Sequence, residues 1–204
     1  MKTGTYNIVF NLPAAARRQA ITTSKRLRKK GGVFALGEKI FIPHVSVYLI
    51  DIPQKNEKKI VTELKKLAEK SPSIKCTALR YWNLQSGYVG ILYRKTKAIG
   101  GLQKNIISAI NPLRENAITE RDRARLSQLS AIDRKNIQRF GYSRVGIYYH
   151  PHVTLSKFAQ GEGPSHEKIS KKLFSFRAVS IGLYQRGDHG SCKKLVASFP
   201  LLAK

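Results

Sequence analysis

One short pattern occurs twice in the chain and limits the folds that it can adopt. Residues 43–47 read Pro-His-Val-Ser-Val, and residues 151–155 read Pro-His-Val-Thr-Leu. Each copy lies in an apolar, β-rich stretch and is followed by a predicted helix and then by a pair of predicted strands. Recurrence of one segment in the same context is typical of an internal duplication. We therefore predict two related halves, with one copy of the pattern in each.

The pattern places an imidazole and a hydroxyl on the same face of each strand. Side chains alternate between the two faces of a strand, so His44 and Ser46 point the same way, about 7 Å apart. His152 and Thr154 repeat this arrangement in the second copy. If a pseudo-twofold axis relates the two halves, both pairs converge on one groove.

Two imidazoles and two hydroxyls around one groove suit the cleavage of a phosphodiester. The pKa of free imidazole is about 6.5, so one histidine can be neutral and the other protonated near neutral pH. The neutral ring can take a proton from an attacking water or hydroxyl, and the protonated ring can give one to the leaving oxygen. Ser46 and Thr154 can donate hydrogen bonds to the non-bridging oxygens. This chemistry requires no metal, and we expect neither a metal ion nor another cofactor.

Hydrophobic periodicity and turn residues predict an α+β fold. The predicted strands cover residues 6–12, 34–52 (mainly 39–49), 74–84, 88–94, 145–158, 177–186 and 193–201, and the predicted helices cover 14–30, 56–69, 99–113 and 165–174. Frequent hairpins favour antiparallel or mixed sheets over a parallel doubly wound sheet. Residues 114–141 are polar and arginine-rich, which predicts an inserted helical or loop excursion. We expect residues 1–204 to form a single bilobal, duplicated domain in which two sheets face a central groove and the helices lie outside.

The charge of the chain indicates a polyanionic partner. It contains 38 lysines and arginines against 12 aspartates and glutamates, a net charge of +26. Such a surface attracts RNA, DNA, acidic nucleotides or an anionic membrane. No segment is long and apolar enough to span a membrane. Cys76 and Cys192 belong to no paired motif, which is typical of a reducing compartment. We expect a cytoplasmic monomer that binds RNA or a nucleotide phosphodiester, with no membrane partner.

The two motifs resemble the paired HxTx signatures of the 2H phosphoesterase superfamily, especially those of its 2′-5′ RNA ligase and RNA 2′,3′-cyclic phosphodiesterase-like members. The resemblance implies a bilobal α+β fold and metal-free cleavage or transesterification of 2′,3′-cyclic phosphates or 2′-5′ linkages. It places the catalytic histidines at His44 and His152 and the phosphate-binding hydroxyls at Ser46 and Thr154. Many relatives carry an arginine five residues after the second motif histidine. This chain has Lys157 there, a phosphate-binding candidate that keeps the charge but loses the bidentate fork.

Three further residues near the motifs are candidates for the groove. His150 shares a strand face with His152, although the intervening Pro151 favours a position at the rim. Tyr48 and Tyr149 flank the motifs and can either stack on a base or serve as ordinary packing residues. Base stacking on an aromatic ring is worth about 1–3 kcal/mol.

These observations lead to one main functional hypothesis and two alternatives. The main hypothesis is a metal-independent phosphodiesterase that acts on RNA ends or 2′,3′-cyclic phosphates, with 2′-5′ linkages as related substrates and 2′-5′ ligation as a related reaction. The first alternative is a hydrolase of a small cyclic or 2′-5′-linked signalling nucleotide. The second is an RNA-binding protein that holds a terminal phosphate without turnover. Either motif alone is typical of a structural histidine, and it is their recurrence that favours catalysis.

Overall fold

A computed structural model of the chain describes residues 2–84, 86–159 and 162–203, which contain nine β-strands and six α-helices. The strands are β1 (Thr3–Asn11), β2 (His44–Pro53), β3 (Ile74–Cys76), β4 (Ala78–Asn83), β5 (Tyr88–Tyr93), β6 (His152–Lys157), β7 (Phe176–Ala178), β8 (Ser180–Arg186) and β9 (Cys192–Pro200). The helices are α1 (Ala14–Lys29), α2 (Glu57–Ala68), α3 (Lys97–Ile110), α4 (Glu120–Arg125), α5 (Ala131–Phe140) and α6 (Lys171–Phe174). The predicted α+β class is confirmed.

The strands form three sheets, and every ladder between named strands is antiparallel. The largest sheet has the order β2-β1-β8-β9, the second has the order β4-β5-β6, and β3 pairs with β7. Only Thr77 separates β3 from β4, so the two smaller sheets are joined along the chain. The motif strands β2 and β6 are both edge strands, and they lie against each other. The two copies of the pattern therefore meet at the junction between the sheets.

Each of the two larger sheets is covered by its own pair of helices. Helices α2 and α3 contact the four-stranded sheet, whereas α1 and α6 contact the sheet that contains β6. The C-terminal strands β8 and β9 return to the sheet of β1 and β2. The four-stranded sheet thus combines strands from both ends of the chain, and the main hydrophobic core includes both Ile8 of β1 and Leu155 of β6. In the described ranges, no helix has both the length and the apolar character needed to cross a bilayer.

Local sequence signals explain where the principal helices begin and end. Helix α1 follows Pro13, and the chain leaves it through Gly31, whose φ of 96° favours glycine. The hydroxyls of Thr96 and Ser130 cap α3 and α5 by accepting hydrogen bonds from backbone N–H groups. Helix α5 ends at Phe140, and Gly141 follows it with a φ of 67°. The excursion predicted over residues 114–141 is thus largely helical.

The two motif strands begin later than predicted. Strand β2 begins at His44 rather than near residue 39, because its partner β1 ends at Asn11, which pairs with His44. Phe41, just before it, has a φ of 53°, which is incompatible with an extended strand. The second strand, predicted from residue 145, begins at His152 because a 3-10 turn at Gly146–Tyr148 precedes it.

Three other predicted elements differ from those observed. The helix predicted over residues 165–174 is reduced to α6, which begins after Ser170 because the Ser170 hydroxyl caps it by accepting from the N–H of Leu173. Glu167, in the segment before this cap, forms ion pairs with Arg26 (2.6 Å) and Lys30 (2.9 Å) of the α1 region. The strand predicted over residues 177–186 is divided at Val179 into β7 and β8, which belong to different sheets. The strand predicted over residues 74–84 is divided in the same way at Thr77.

Candidate active site

A groove of about 620 Å³ lies at the junction of the two motif strands. Side chains alternate along β2 and β6, so one face of each strand lies toward this groove and the other toward the core. The residues that face the core are fully buried: Val45, Val47, Val153 and Leu155. The residues that face the groove are partly exposed and line it: His44, Ser46, His152 and Thr154. The four motif side chains predicted from the sequence are therefore brought together around one volume.

Both catalytic candidates are held by the same backbone contact. The Nδ1 atom of His44 lies 2.7 Å from the carbonyl oxygen of Ile42, and Nδ1 of His152 lies 2.7 Å from the carbonyl oxygen of His150. Because a carbonyl can only accept a hydrogen bond, each ring carries its proton on Nδ1 when neutral. Each ring therefore has Nε2 as the nitrogen that can accept a proton.

The environment of His44 contains a buried amide from the neighbouring strand. Nδ2 of Asn7, on β1, lies 3.1 Å from Nε2 of His44, 3.0 Å from Oγ of Ser46 and 3.1 Å from the carbonyl oxygen of Gly190. The carbonyl contact requires an N–H donor, which fixes the orientation of the amide. Asn7 therefore donates into the first motif, and the Ser46 hydroxyl, as an acceptor here, keeps its own proton for a ligand.

The environment of His152 contains aromatic and cationic groups instead. The indole of Trp82, on β4, meets the His152 ring edge to face, with the centroids 4.6 Å apart. The guanidinium carbon of Arg144 lies 5.6 Å from the centroid of Trp82, within the range of a cation–π contact. All three side chains line the groove. The second histidine therefore shares its surroundings with a positive charge.

These surroundings lower the pKa of both histidines. Burial holds the pKa of His44 below its ordinary value, and the carbonyls of Ile42 and Gly190 act in the opposite direction. Burial lowers the pKa of His152 to about 3, the His150 carbonyl opposes this, and the charges of Arg144, His44 and His150 lower the pKa further. Both rings are therefore neutral at neutral pH in the free protein.

The excursion forms one wall of the groove. The side chains that it contributes, with the segment that follows it, are Thr119, Asp122, Arg125, Ile137, Gly141, Tyr142, Ser143 and Arg144. Arg114 fixes the base of this wall, because its guanidinium is 1% exposed and donates to Asn111 Oδ1 and to the carbonyls of Ala117, Gln138 and Arg139. The segment that has no counterpart in the duplicated pattern thus contributes directly to the site.

The remaining candidates from the sequence lie outside the groove. The Lys157 ammonium lies over the ring of Tyr88, 5.3 Å from its centroid. His150 is exposed, and it is its carbonyl rather than its ring that contacts His152. Tyr48 is 0% exposed and donates to the Phe140 carbonyl (2.6 Å), with Asn111 Oδ1 3.1 Å from its hydroxyl, while Tyr149 is 1% exposed and donates to the Ser46 carbonyl. Both tyrosines are packing residues and offer no ring face to a base.

Three residues beside the motif histidines are not among those predicted from the sequence. Asn7 carries a signal, since a polar residue within an apolar strand requires a buried partner. Trp82 is the single tryptophan of the chain and lies on a predicted hairpin strand, which is a weaker signal. Arg144 carries no signal, because nothing in the local sequence distinguishes it from the many other basic residues.

The sequence matches one known protein family. A family described as "Protein of unknown function (DUF1045)" matches residues 52–178, well over half of the chain, a range that includes the second motif but not the first. No curated protein matches the sequence.

Several solved structures share the fold. Escherichia coli LigT in complex with phosphate superposes with a TM-score of 0.65 at 14% identity, covering 98% of this chain and 99% of LigT. A structure described as a phosphoesterase gives a TM-score of 0.65 at 13% identity, and the protein TT0787 of Thermus thermophilus gives 0.60 at 11% identity, each over 98% of this chain and 99% of the other. The predicted resemblance to the 2H phosphoesterase superfamily is thus confirmed at the level of the fold.

Proposed function

The chain belongs to the DUF1045 family of proteins of unknown function, and we propose that it is a metal-independent phosphodiesterase that acts on RNA ends, including 2′,3′-cyclic phosphates. One observation carries the proposal. His44 and His152 line the same groove, and each holds Nδ1 against a backbone carbonyl two residues earlier. A pair of oriented imidazoles with Nε2 available is what general acid and general base catalysis at one phosphorus requires.

The proposed reaction is the opening of a cyclic phosphodiester by water. The neutral histidine removes a proton from water, whose oxygen forms a bond to phosphorus. The bond between phosphorus and one ribose oxygen breaks, and the protonated histidine gives its proton to that oxygen. Hydroxyl groups of Ser46 and Thr154 donate to the non-bridging oxygens, where negative charge builds up. One water is consumed and no electron changes hands, so no metal or other cofactor enters the scheme.

The charge of the chain supports RNA as the substrate class. A net charge of +26 attracts a polyanion and accelerates its association. On α1, Arg18, Lys25, Arg28 and Lys29 have no acidic partner among the described residues. A groove that holds one phosphodiester and a basic surface that attracts the others together favour an oligonucleotide end over an isolated nucleotide.

A hydrolase of a small nucleotide is the second candidate, and the groove itself supports it. A volume of about 620 Å³ lies within the ordinary range for sites that hold a single small ligand. LigT, which shares the fold, has been solved in complex with 3′-AMP and with ATP. The two candidates differ in salt dependence, because an extended RNA releases more counterions on binding than a mononucleotide does.

The proposal is tested by turnover of a short RNA that ends in a 2′,3′-cyclic phosphate, in the presence of EDTA. We expect the wild type to open the ring and the double variant His44→Ala/His152→Ala to lose this activity. His166→Ala removes an exposed histidine outside the groove and is the matched control, which we expect to retain activity. The position of the phosphate in the product identifies the leaving oxygen.

The same assay separates the alternatives. Equal cleavage of a 2′,3′-cyclic mononucleotide and of the RNA, with the same dependence on salt, would favour the small-nucleotide enzyme. Binding of RNA without turnover of cyclic or 2′-5′-linked substrates would favour the non-catalytic binding protein. Turnover that survives in the double variant would exclude the two-histidine mechanism.

A further inference from the structure

Among the residues that the structure describes, three arginines line the groove, and they differ in their partners. Asp122 binds Arg125 through two nitrogens (2.9 and 2.6 Å), and Asp51 binds Arg186 (3.1 Å). Arg144 forms no ion pair with any described residue, and its guanidinium lies over the indole of Trp82. The charges of the first two arginines are therefore compensated within the protein, and that of Arg144 is left for a ligand.

The backbone of Arg144 is tied to the opposite motif. Gln103, which is 1% exposed, donates from Nε2 to the carbonyl of Val47 on β2 and to the carbonyl of Arg144, both at 3.1 Å. Asn136 donates to the preceding carbonyl, that of Ser143, at 3.0 Å. The backbone of Arg144 is thereby anchored to β2, the strand of His44. Its side chain lies over Trp82, whose ring in turn contacts His152.

We propose that Arg144 is the residue that grips the substrate phosphate beside His152, the role that the sequence-based resemblance gave to Lys157. This inference rests on the proposed phosphodiesterase function. A guanidinium presents several N–H donors in a planar fork that matches two phosphate oxygens, which an ammonium cannot do. Arg144 lines the groove, whereas Lys157 does not line it and holds its ammonium over the ring of Tyr88, a residue of the groove wall. The forked cation therefore comes from the segment after the excursion and not from the motif strand.

The position of Arg144 also links binding to protonation. In the free protein its charge is one of the causes that hold the pKa of His152 low. A bound phosphodiester anion compensates this charge and adds a negative charge of its own, so it favours the protonated form of His152. Substrate binding would therefore prepare His152 as the general acid, which leaves His44 as the base.

Intrinsic fluorescence provides a direct test, because Trp82 is the single tryptophan of the chain and lies beneath Arg144. Inorganic phosphate is titrated into the wild type, Arg144→Gln, Arg144→Lys and the control Arg94→Gln, which removes an exposed arginine just after β5 and outside the groove. We expect a saturable change in the wild type and the control. Loss of a charge-assisted contact should raise the apparent Kd roughly 10- to 100-fold in Arg144→Gln, with Arg144→Lys in between.

Turnover of the cyclic RNA by the same variants distinguishes this inference from the proposed function. If no substrate is turned over but phosphate binding is lost in Arg144→Gln, the phosphate site stands and the enzymatic function fails. If Arg144→Gln binds phosphate and turns over RNA as the wild type does, the inference fails and the function stands. Absence of saturable phosphate binding by the wild type, checked by calorimetry, would also overturn the inference about Arg144.

Discussion

The two halves of the groove share one backbone arrangement and differ in the side chains around it. In both motifs the histidine Nδ1 contacts a carbonyl two residues earlier, and the next residue but one carries a hydroxyl. Beyond this, His44 lies beside the neutral amide of Asn7, whereas His152 lies against Trp82 and close to Arg144. The duplicated strands thus supply two equivalent imidazoles, and the surrounding elements, which are not duplicated, make them unequal.

This difference indicates how a symmetric pair can take two roles. Burial keeps His44 neutral, the form that can accept a proton, and the Asn7 amide beside it adds no positive charge. The cation near His152 opposes protonation in the free protein, but a bound anion reverses that effect. A protein that needs one base and one acid at one phosphorus can therefore obtain both from the same motif by changing its neighbours.

The largest expected effect comes from removing either histidine alone. We expect His44→Ala and His152→Ala each to lower kcat by about 10²- to 10⁴-fold, the usual contribution of a general acid or base. Because the two rings act in one step, the double variant should be little worse than the weaker single variant. Steady-state kinetics on the cyclic RNA measure this. Losses that multiply in the double variant would show that the two histidines act independently.

A smaller effect is expected from the amide that distinguishes the first motif. Asn7→Ala leaves the Gly190 carbonyl and the Ser46 hydroxyl without their donor, so we expect kcat to fall about tenfold, with less change in KM. Asn11→Ala is the matched control on the same strand, since its amide bonds Ser180, Ser198 and Tyr184 outside the groove. Equal losses of activity in both variants would show that Asn7 serves only the stability of the strand.

The same contrast explains how much of the site could be predicted from the sequence. The motif residues were predictable because alternation along a strand is local, and the observed burial of Val45 and Val153 opposite His44 and His152 follows it. Arg144 was not predictable, because its position depends on hydrogen bonds from Gln103 and on the path of the excursion. Residues that give each histidine its individual environment come from elements distant in sequence.

The fold, like the site, was predictable where it depends on local sequence. Its class, its hairpins and most of its helices follow from periodicity and turn residues. The exchange of elements between the sheets does not, since the return of β8 and β9 to the sheet of β1 is a long-range pairing. The ion pair that joins Glu167, before α6, to Arg26 of α1 is likewise not predicted by any local pattern.

The effect of the Arg144 charge on the pKa of His152 can be tested by titrating His152. Arg144→Gln removes a positive charge near the ring, so protonation becomes easier and the pKa of His152 should rise above its value of about 3. It should remain below the ordinary value of about 6.5, because burial, the largest cause, is unchanged. NMR titration of selectively labelled histidines measures this. An unchanged pKa of His152 would show that the Arg144 charge has no effect on it. A similar rise in the pKa of His44 would show that Arg144 does not distinguish the two histidines.

The smallest expected effect is on stability in acid. The folded protein holds His152 neutral down to about pH 3, whereas the unfolded chain binds a proton near pH 6.5. The contribution of His152 to stability is therefore fully present above about pH 6.5 and is lost progressively as the pH falls toward 3. The free energy of unfolding, measured in urea from pH 7 to pH 4, should thus fall more steeply for the wild type than for His152→Asn. His166→Asn controls for loss of a histidine outside the groove. Parallel curves for the wild type and His152→Asn would mean that the ring is not held neutral in the folded protein, which would remove the electrostatic distinction between the two motifs.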